Sequence, residues 1–254
     1  MRKHLYQYLL LIIMVMGSSP LFAQIVNIED KRATRIDSIP WRVTSDLSFS
    51  WIKNKSDVLN FGGGLRLEYY KGKYSLLSLS SITYVIVDDK NFVSSGFEHL
   101  RYNRELKERL TYEAFFQAQF NEQLLLNLRL LFGTGLRFRL SRLSSKPCHL
   151  GLSYMYEYDE ESKGEIIRRD HRLSSYLSLK TKIANHVDFY STTYYQPLVN
   201  NFKDFRLSTQ NNLIFAINQR LKLNTSFSLI FDSRAPDGAP KLTHALKMGL
   251  RILI

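Results

Sequence analysis

The chain has 254 residues, 44% of them hydrophobic, and a formal charge of +12. Its single cysteine, Cys148, excludes an intramolecular disulfide and a cysteine-based metal site. The length suits one large domain or two small ones, and the basic balance suits acidic ligands, anionic lipid or nucleic acid.

The first residues decide among these partners. Arg2, Lys3 and His4 are followed by an unbroken apolar run, Leu9 to Met16, then Gly17-Ser18-Ser19-Pro20. This is the layout of a cleavable secretory signal, expected over 1–23 with the cut between Ala23 and Gln24. The run is too short for a spanning helix, which needs about 20 residues. No cysteine near the cut suggests a lipid anchor. Removing Arg2 and Lys3 leaves +10 on the exported chain. Export argues against nucleic acid and favours outer-membrane lipids, lipopolysaccharide and anionic solutes as partners. Residues 24–40 are expected as a periplasmic or lumen-inserted segment, and 41–254 as a barrel.

From Trp41 onward the dominant signal is alternation with period two. Trp41, Val43, Leu47, Phe49 and Trp51 alternate with Arg42, Thr44, Asp46, Ser48 and Ser50. Leu110, Tyr112, Ala114, Phe116, Ala118 and Phe120 oppose a polar set that Phe115 interrupts. From Gln123, Leu124, Leu126, Leu128, Leu130 and Phe132 oppose Asn127, Arg129, Gly133, Gly135, Arg137 and Arg139, with Leu125 and Leu131 as exceptions. A helix would spread these residues around its circumference, whereas a strand sorts them onto two faces.

About twelve strands are predicted, near 41–54, 58–70, 73–87, 93–105, 108–121, 123–140, 148–158, 168–182, 186–197, 204–217, 220–232 and 243–254. Such strands exceed the 3–10 residues usual in soluble sheets and suit a tilted membrane crossing. The expected architecture is all-β: a closed, antiparallel transmembrane β-barrel of about 12 strands in the outer membrane of a Gram-negative-type cell. Short turns fall on one end and longer polar connections on the other, as outer-membrane barrels require. Two places misfit: Asn121-Glu122 is short where a long loop belongs, and 141–147 is long where a turn belongs. The strand count is therefore open by one.

The C-terminus carries a more specific pattern. Lys247, Gly249, Ile252 and Ile254 resemble the terminal-strand signal read by the outer-membrane barrel assembly machinery, with Ile in place of the usual final aromatic. The stretch 97–140 adds a family likeness. His99-Leu100-Arg101-Tyr102-Asn103, Glu113-Ala114-Phe115-Phe116-Gln117 and Leu131 to Phe138 resemble the salt-induced outer-membrane protein family, small barrels of undefined function. Val26 to Arg32 resembles that family's segment before the barrel. The resemblance implies a barrel and an envelope location, and it transfers no catalytic or ligand residue.

Catalysis needs convergent groups. His171 and Ser175 share a predicted face, as do His149 and Ser153, but a spacing of four along a strand is roughly 13 Å. Direct proton transfer needs about 3 Å. There is no Gly-x-Ser-x-Gly elbow and no paired-histidine metal spacing. No enzyme activity, cofactor or metal is expected. Glu160, Glu161, Asp232 and Asp237 read as loop carboxylates with at most weak affinity for divalent cations.

The candidate site is the barrel interior. Residues expected to face it are Arg66, Glu68, Glu113, Arg129, Gly133, Gly135, Arg137, Arg139, Glu157, Arg172 and Arg206, with Arg109, Lys180, Lys182, Asp188, Lys222, Lys247 and Arg251. Gly133 and Gly135 leave room for a bulky neighbour or a bend. Basic groups outnumber acidic ones, which would favour anions in an open pore. Ion pairs that plug the interior are the competing outcome, because twelve strands lie between filled eight-stranded barrels and aqueous porins. The expected role, resting mostly on the family resemblance, is a non-catalytic one in membrane integrity or stress tolerance. A narrow channel for small anionic solutes and a lipid-active enzyme are the alternatives.

Overall fold

The computed structural model describes residues 40–53, 57–88, 90–143, 146–161, 166–218 and 221–252. The signal segment, its cleavage site, residues 24–39 and Ile254 lie outside the described residues.

Twelve strands form one antiparallel sheet in sequence order. They are β1 (Trp41–Lys53), β2 (Asp57–Lys71), β3 (Tyr74–Val87), β4 (Lys90–Lys107), β5 (Leu110–Asn121) and β6 (Leu126–Arg139). Then follow β7 (Cys148–Glu161), β8 (Ile166–Ala184), β9 (Val187–Leu198), β10 (Asn201–Ala216), β11 (Leu221–Asp232) and β12 (Leu242–Ile252). Each observed boundary lies within three residues of its expected place. Ladders join every consecutive pair, and none joins β12 to β1 among the described residues. No helix among them is long and apolar enough to cross a membrane, which says nothing of strands.

Both misfits are connections between strands, and twelve strands are found among the described residues. Between β5 and β6 the chain makes a single 3-10 turn, Glu122–Leu124. Asn121 caps it by accepting from the Leu124 amide, and Leu125 closes it in the left-handed region at φ 53°. The expected alternation from Gln123 therefore starts three residues late. A register shift between Leu126 and Leu128 then turns Leu126 to the polar face, where it is buried. Its placement with the outward leucines is corrected accordingly. Arg109 is corrected too: it sits exposed in the β4–β5 hairpin rather than in a strand.

The sheet is inverted relative to a soluble protein, which puts leucines inside and charges outside. Leu47, Phe49, Leu246 and some thirty other large apolar side chains are exposed. Glu68, Glu113, Glu157, Asp159 and Arg172 are almost fully buried. The sheet curls so that its polar face meets itself: Tyr176 of β8 touches Glu113 of β5, and Arg206 of β10 touches Asp159 of β7.

The end carrying the β5–β6, β7–β8, β9–β10 and β11–β12 connections is the upper end, and Trp41 lies at the lower. Aromatic rings mark both ends of the apolar face. Trp41 packs on Tyr69, and Tyr102 on Tyr74 and Tyr112, at the lower end. Tyr195, Phe205 and Phe231 stack in a row at the upper end.

Candidate functional site: the polar interior

The interior has three levels. The middle is shaped by glycines. Gly133 is in register with Phe115, and a Cβ there would collide with the Phe115 ring. Gly151 is in register with Tyr176, whose ring occupies the space a side chain would need. Gly135, between Glu113 and Ser153, is equally closed to a Cβ. The bulky neighbour anticipated for these glycines is thus, at Gly133, the Phe115 ring of the adjoining strand, whereas Gly135 admits the backbone and Ser153 of β7.

Across this trough the Tyr176 hydroxyl donates to Glu113 Oε2 at 2.9 Å. The same oxygen accepts from Arg101 Nη1 at 3.0 Å. Arg101 lies over the Phe115 ring, 5.0 Å from its centroid, and His99 stacks on the ring's other neighbourhood at 5.9 Å. His99 Nδ1 is 2.9 Å from Gln117 Oε1. Phe115, an apparent break in the polar face, is the surface on which this cluster is laid.

The upper level is a web of ion pairs. Arg172, fully buried, reaches Glu157 Oε1 at 3.4 Å, Asp170 Oδ2 at 3.4 Å and Asp204 Oδ1 at 3.0 Å. It also donates to the Gln196 carbonyl at 3.2 Å. Arg206 binds Asp232 at 2.7 Å, Asp159 at 3.2 Å and Glu157. Arg129 grips Asp159 with two bonds, at 2.8 and 2.7 Å, the bidentate geometry that suits a guanidinium. Arg168 pairs with Glu161 at 2.9 Å. Arg234, in the β11–β12 connection, reaches down to Asp204 at 2.9 Å and to Asp170. Five arginines thus meet six carboxylates, so this level is close to neutral rather than basic.

The loop that carries Arg234 folds over this web. Ala235, Pro236 and Pro240 border a small void of about 50 Å³ together with Leu124 and Leu126 from the β5–β6 turn. Gly238 comes close to the Leu125 side chain.

The lower level is open. A cavity of about 340 Å³ is bordered by Glu68, Lys73, Glu105, Arg137, His149 and Lys180, among others. Glu68 is buried, within 3.9 Å of Arg42 and 3.8 Å of Arg66, and accepts from the Tyr70 hydroxyl at 3.1 Å. Arg66 donates to Thr44 Oγ1 at 3.0 Å. The Lys180 ammonium sits 4.9 Å above the Tyr190 ring.

Of the remaining expected interior residues, Arg139 is half-buried opposite His149 in the register, and Lys182 is opposite Asp188. Lys222 is opposite Arg251. Lys247, Gly249 and Ile252 lie in β12. Sequence reasoning missed Arg101, Asp170, Tyr176, Asp204 and Arg234. Two of them carried a signal: Asp204 and Arg206 share a face by spacing, and Gly151 opens a gap like that of Gly133.

The supposed catalytic pairs do not meet. His171 lies on the apolar face, where its Nδ1 bonds the Tyr154 hydroxyl. Ser175 Oγ instead donates to the Tyr195 carbonyl at 3.2 Å. His149 borders the lower cavity, with Ser153 beside Gly135. Three of the carboxylates expected in loops belong instead to the ends of β7 and β11 and are engaged: Asp232 and Glu161 with arginines, and Glu160 with the Tyr158 hydroxyl at 2.7 Å. Among the described residues no cluster of three acidic, histidine or cysteine side chains is arranged to hold a metal.

A family model, DUF481, described as a protein of unknown function, matches residues 54–252. The chain belongs to this family. The family's description assigns no salt-induced role to the stretch 97–140, which falls inside the match. Among solved structures, the chain is similar to one of the NanC porin in a rhombohedral crystal form, at 10% identity and a TM-score of 0.48. That likeness covers 77% of this chain and 94% of the porin chain. No curated protein matches this DUF481 chain.

Proposed function

We propose that the chain is an outer-membrane β-barrel with a non-catalytic envelope role, closed by pairing of β12 with β1 and shut at its upper end. The observation that carries this reading is the inversion of the sheet, with apolar residues exposed and charge buried. In water, thirty-odd exposed large apolar side chains would be an aggregation surface, whereas in lipid they are the solvated face. The free edges of β1 and β12 follow the same logic, because unpaired backbone groups in hydrocarbon cost several kcal/mol each. Trp41 and Trp51 bracket β1. Ten residues at about 3.3 Å each, tilted by about 40°, give an apolar band of about 25 Å, the height expected of such barrels.

Outer-membrane lipids and lipopolysaccharide are the partners this surface fits. Lys247, Gly249, Ile252 and Ile254 would present the chain to the barrel assembly machinery. The salt-induced role belongs here as well, as one form that stress tolerance would take.

The test is single-channel recording on purified protein whose folded barrel is demonstrated by heat-modifiable migration on a gel. Folded protein that leaves the bilayer silent supports an interior shut by the upper ion pairs. Stable conductance steps would overturn that part. They would favour a second reading, a narrow channel for small anionic solutes, to which the lower cavity with Lys73, Arg137 and Lys180 lends support.

A further inference from the structure

The apolar face is interrupted by polar side chains at several mid-strand positions among the described residues, and two of these interruptions are hydrogen-bonded clusters on strands far apart in the sheet. The first is Glu98, halfway along β4 and in register with Ser80 of β3 and Ala118 of β5. Ser78 Oγ donates to Glu98 Oε1 at 2.7 Å, and Ser80 Oγ donates to Oε2. A carboxylate offers about four acceptor positions, so both oxygens keep capacity. Glu98 is half-buried beside Ser78, Ser80 and Ala118, and Leu100 continues the apolar face beside it. Ionisable groups at membrane depth ordinarily face an interior or a partner.

The second interruption lies on β9 and β10. Ser191 Oγ donates to Asn211 Oδ1 at 2.8 Å, and Thr193 Oγ1 to Thr209 Oγ1 at 3.0 Å. Asn211 Nδ2 donates to Thr209 Oγ1 at 3.2 Å. Thr209 thus accepts twice, so its own proton is directed elsewhere. The Asn211 amide carries a second N–H besides the one Thr209 uses. One patch has acceptors to spare and the other has donors, and each lies near the middle of its strand.

We infer that Glu98 of one copy docks against Thr209 and Asn211 of a second copy, side by side in the membrane. The inference rests on the membrane-barrel reading. Acyl chains offer no donors at mid-depth, and headgroups do not reach it, so a protein must complete the carboxylate. The two patches are six strands apart in a ladder of twelve, hence on opposite sides of a closed barrel. The contact is therefore heterologous and repeats as a row instead of closing as a two-fold dimer.

The experiment uses full-length protein carrying Cys148→Ser, reconstituted in phospholipid vesicles. Ala118→Cys places a thiol beside Glu98, and Leu213→Cys places one on the face of Asn211. With a bismaleimide cross-linker, each single-cysteine variant should remain a monomer and their mixture should give dimers. The doubly substituted chain should give a ladder beyond dimer. Adding Glu98→Leu or Thr209→Val, both on the outer face, should reduce the ladder at least tenfold in protein that still folds heat-modifiably. A doubly substituted chain that stays monomeric while inserted overturns the inference and leaves the barrel reading intact. So does self-cross-linking of either single variant. Insertion is read in the same vesicles by quenching of Trp41 and Trp51 fluorescence with brominated lipid. Fluorescence that is not quenched overturns both readings.

Discussion

The Tyr176 hydroxyl reaches Glu113 from three strands away, at 2.9 Å, because the strands between them carry Gly151 and Gly135. Glu113 is thereby held by a tyrosine on one side and Arg101 on the other. Substituting Gly151 with Ala should push the Tyr176 ring off Glu113. Overpacking of this kind costs about 1–3 kcal/mol, read as a lower urea midpoint of the folded barrel. Tyr176→Ala in the same chain should cancel most of the overpacking, so the two effects will not add.

Tyr176→Phe isolates the hydrogen bond. The ring still covers Gly151, and only the donor to a buried carboxylate is lost. Hydrogen bonds to charged groups contribute about 1.5–3 kcal/mol. A urea midpoint unchanged within error would show that the partners left to Glu113, Arg101 among them, satisfy it without Tyr176.

Arg172 should be far less tolerant. Its removal leaves buried Glu157 to Arg206 and buried Asp204 to the half-exposed Arg234, each with one guanidinium fewer. Removing one partner from a buried ion pair costs about 3–5 kcal/mol. Arg172→Ala should therefore yield little heat-modifiable protein, whereas Arg172→Lys should recover part of it.

Arg129 and Arg137 should separate structure from selectivity. Arg129→Glu places a third carboxylate beside Asp159 and Glu157 and should fail to fold. Arg137→Glu borders the open lower cavity and should fold normally. If any conductance is found, reversed anion preference in Arg137→Glu alone would assign selectivity to the lower cavity.

Arg234 is half-exposed, and exposed ion pairs contribute at most about 1 kcal/mol. Arg234→Ala should leave the urea midpoint nearly unchanged. It should nevertheless free the 233–241 connection from Asp170 and Asp204, read as faster cleavage by protease added at the upper end. Equal cleavage rates would mean that the remaining contacts hold the loop, among them the Arg168 bond to the Arg234 carbonyl and the Ser233–Phe205 bonds.

The faces of the strands were legible from Trp41 onward because period-two alternation depends only on neighbours along the chain. The turn at Glu122–Leu124 was not, since a capped 3-10 turn and a strand start share the same apolar residues until Asn121 is seen to bond Leu124. The upper web was half legible. Arg129, Arg172 and Arg206 stand out in strands, but Asp170, Asp204 and Asp232 sit near strand ends, where spacing alone does not separate a solvated loop from an inward hook. Arg234 depends on the path of a long connection, which no periodicity records. Tyr176 and Glu113 are 63 residues apart, and only the glycines between their strands hint at the meeting.

Alternation also governs what the chain is before it folds. Polar residues recur so often along each strand that the polypeptide averages a mean hydropathy of −0.21, a value ordinary for a water-soluble protein. No helix among the described residues is long and apolar enough to cross a membrane. The greasy surface exists only once strands have paired and sorted their side chains. On the proposed membrane reading, lipid compatibility is therefore a product of strand pairing and is absent from the unpaired chain.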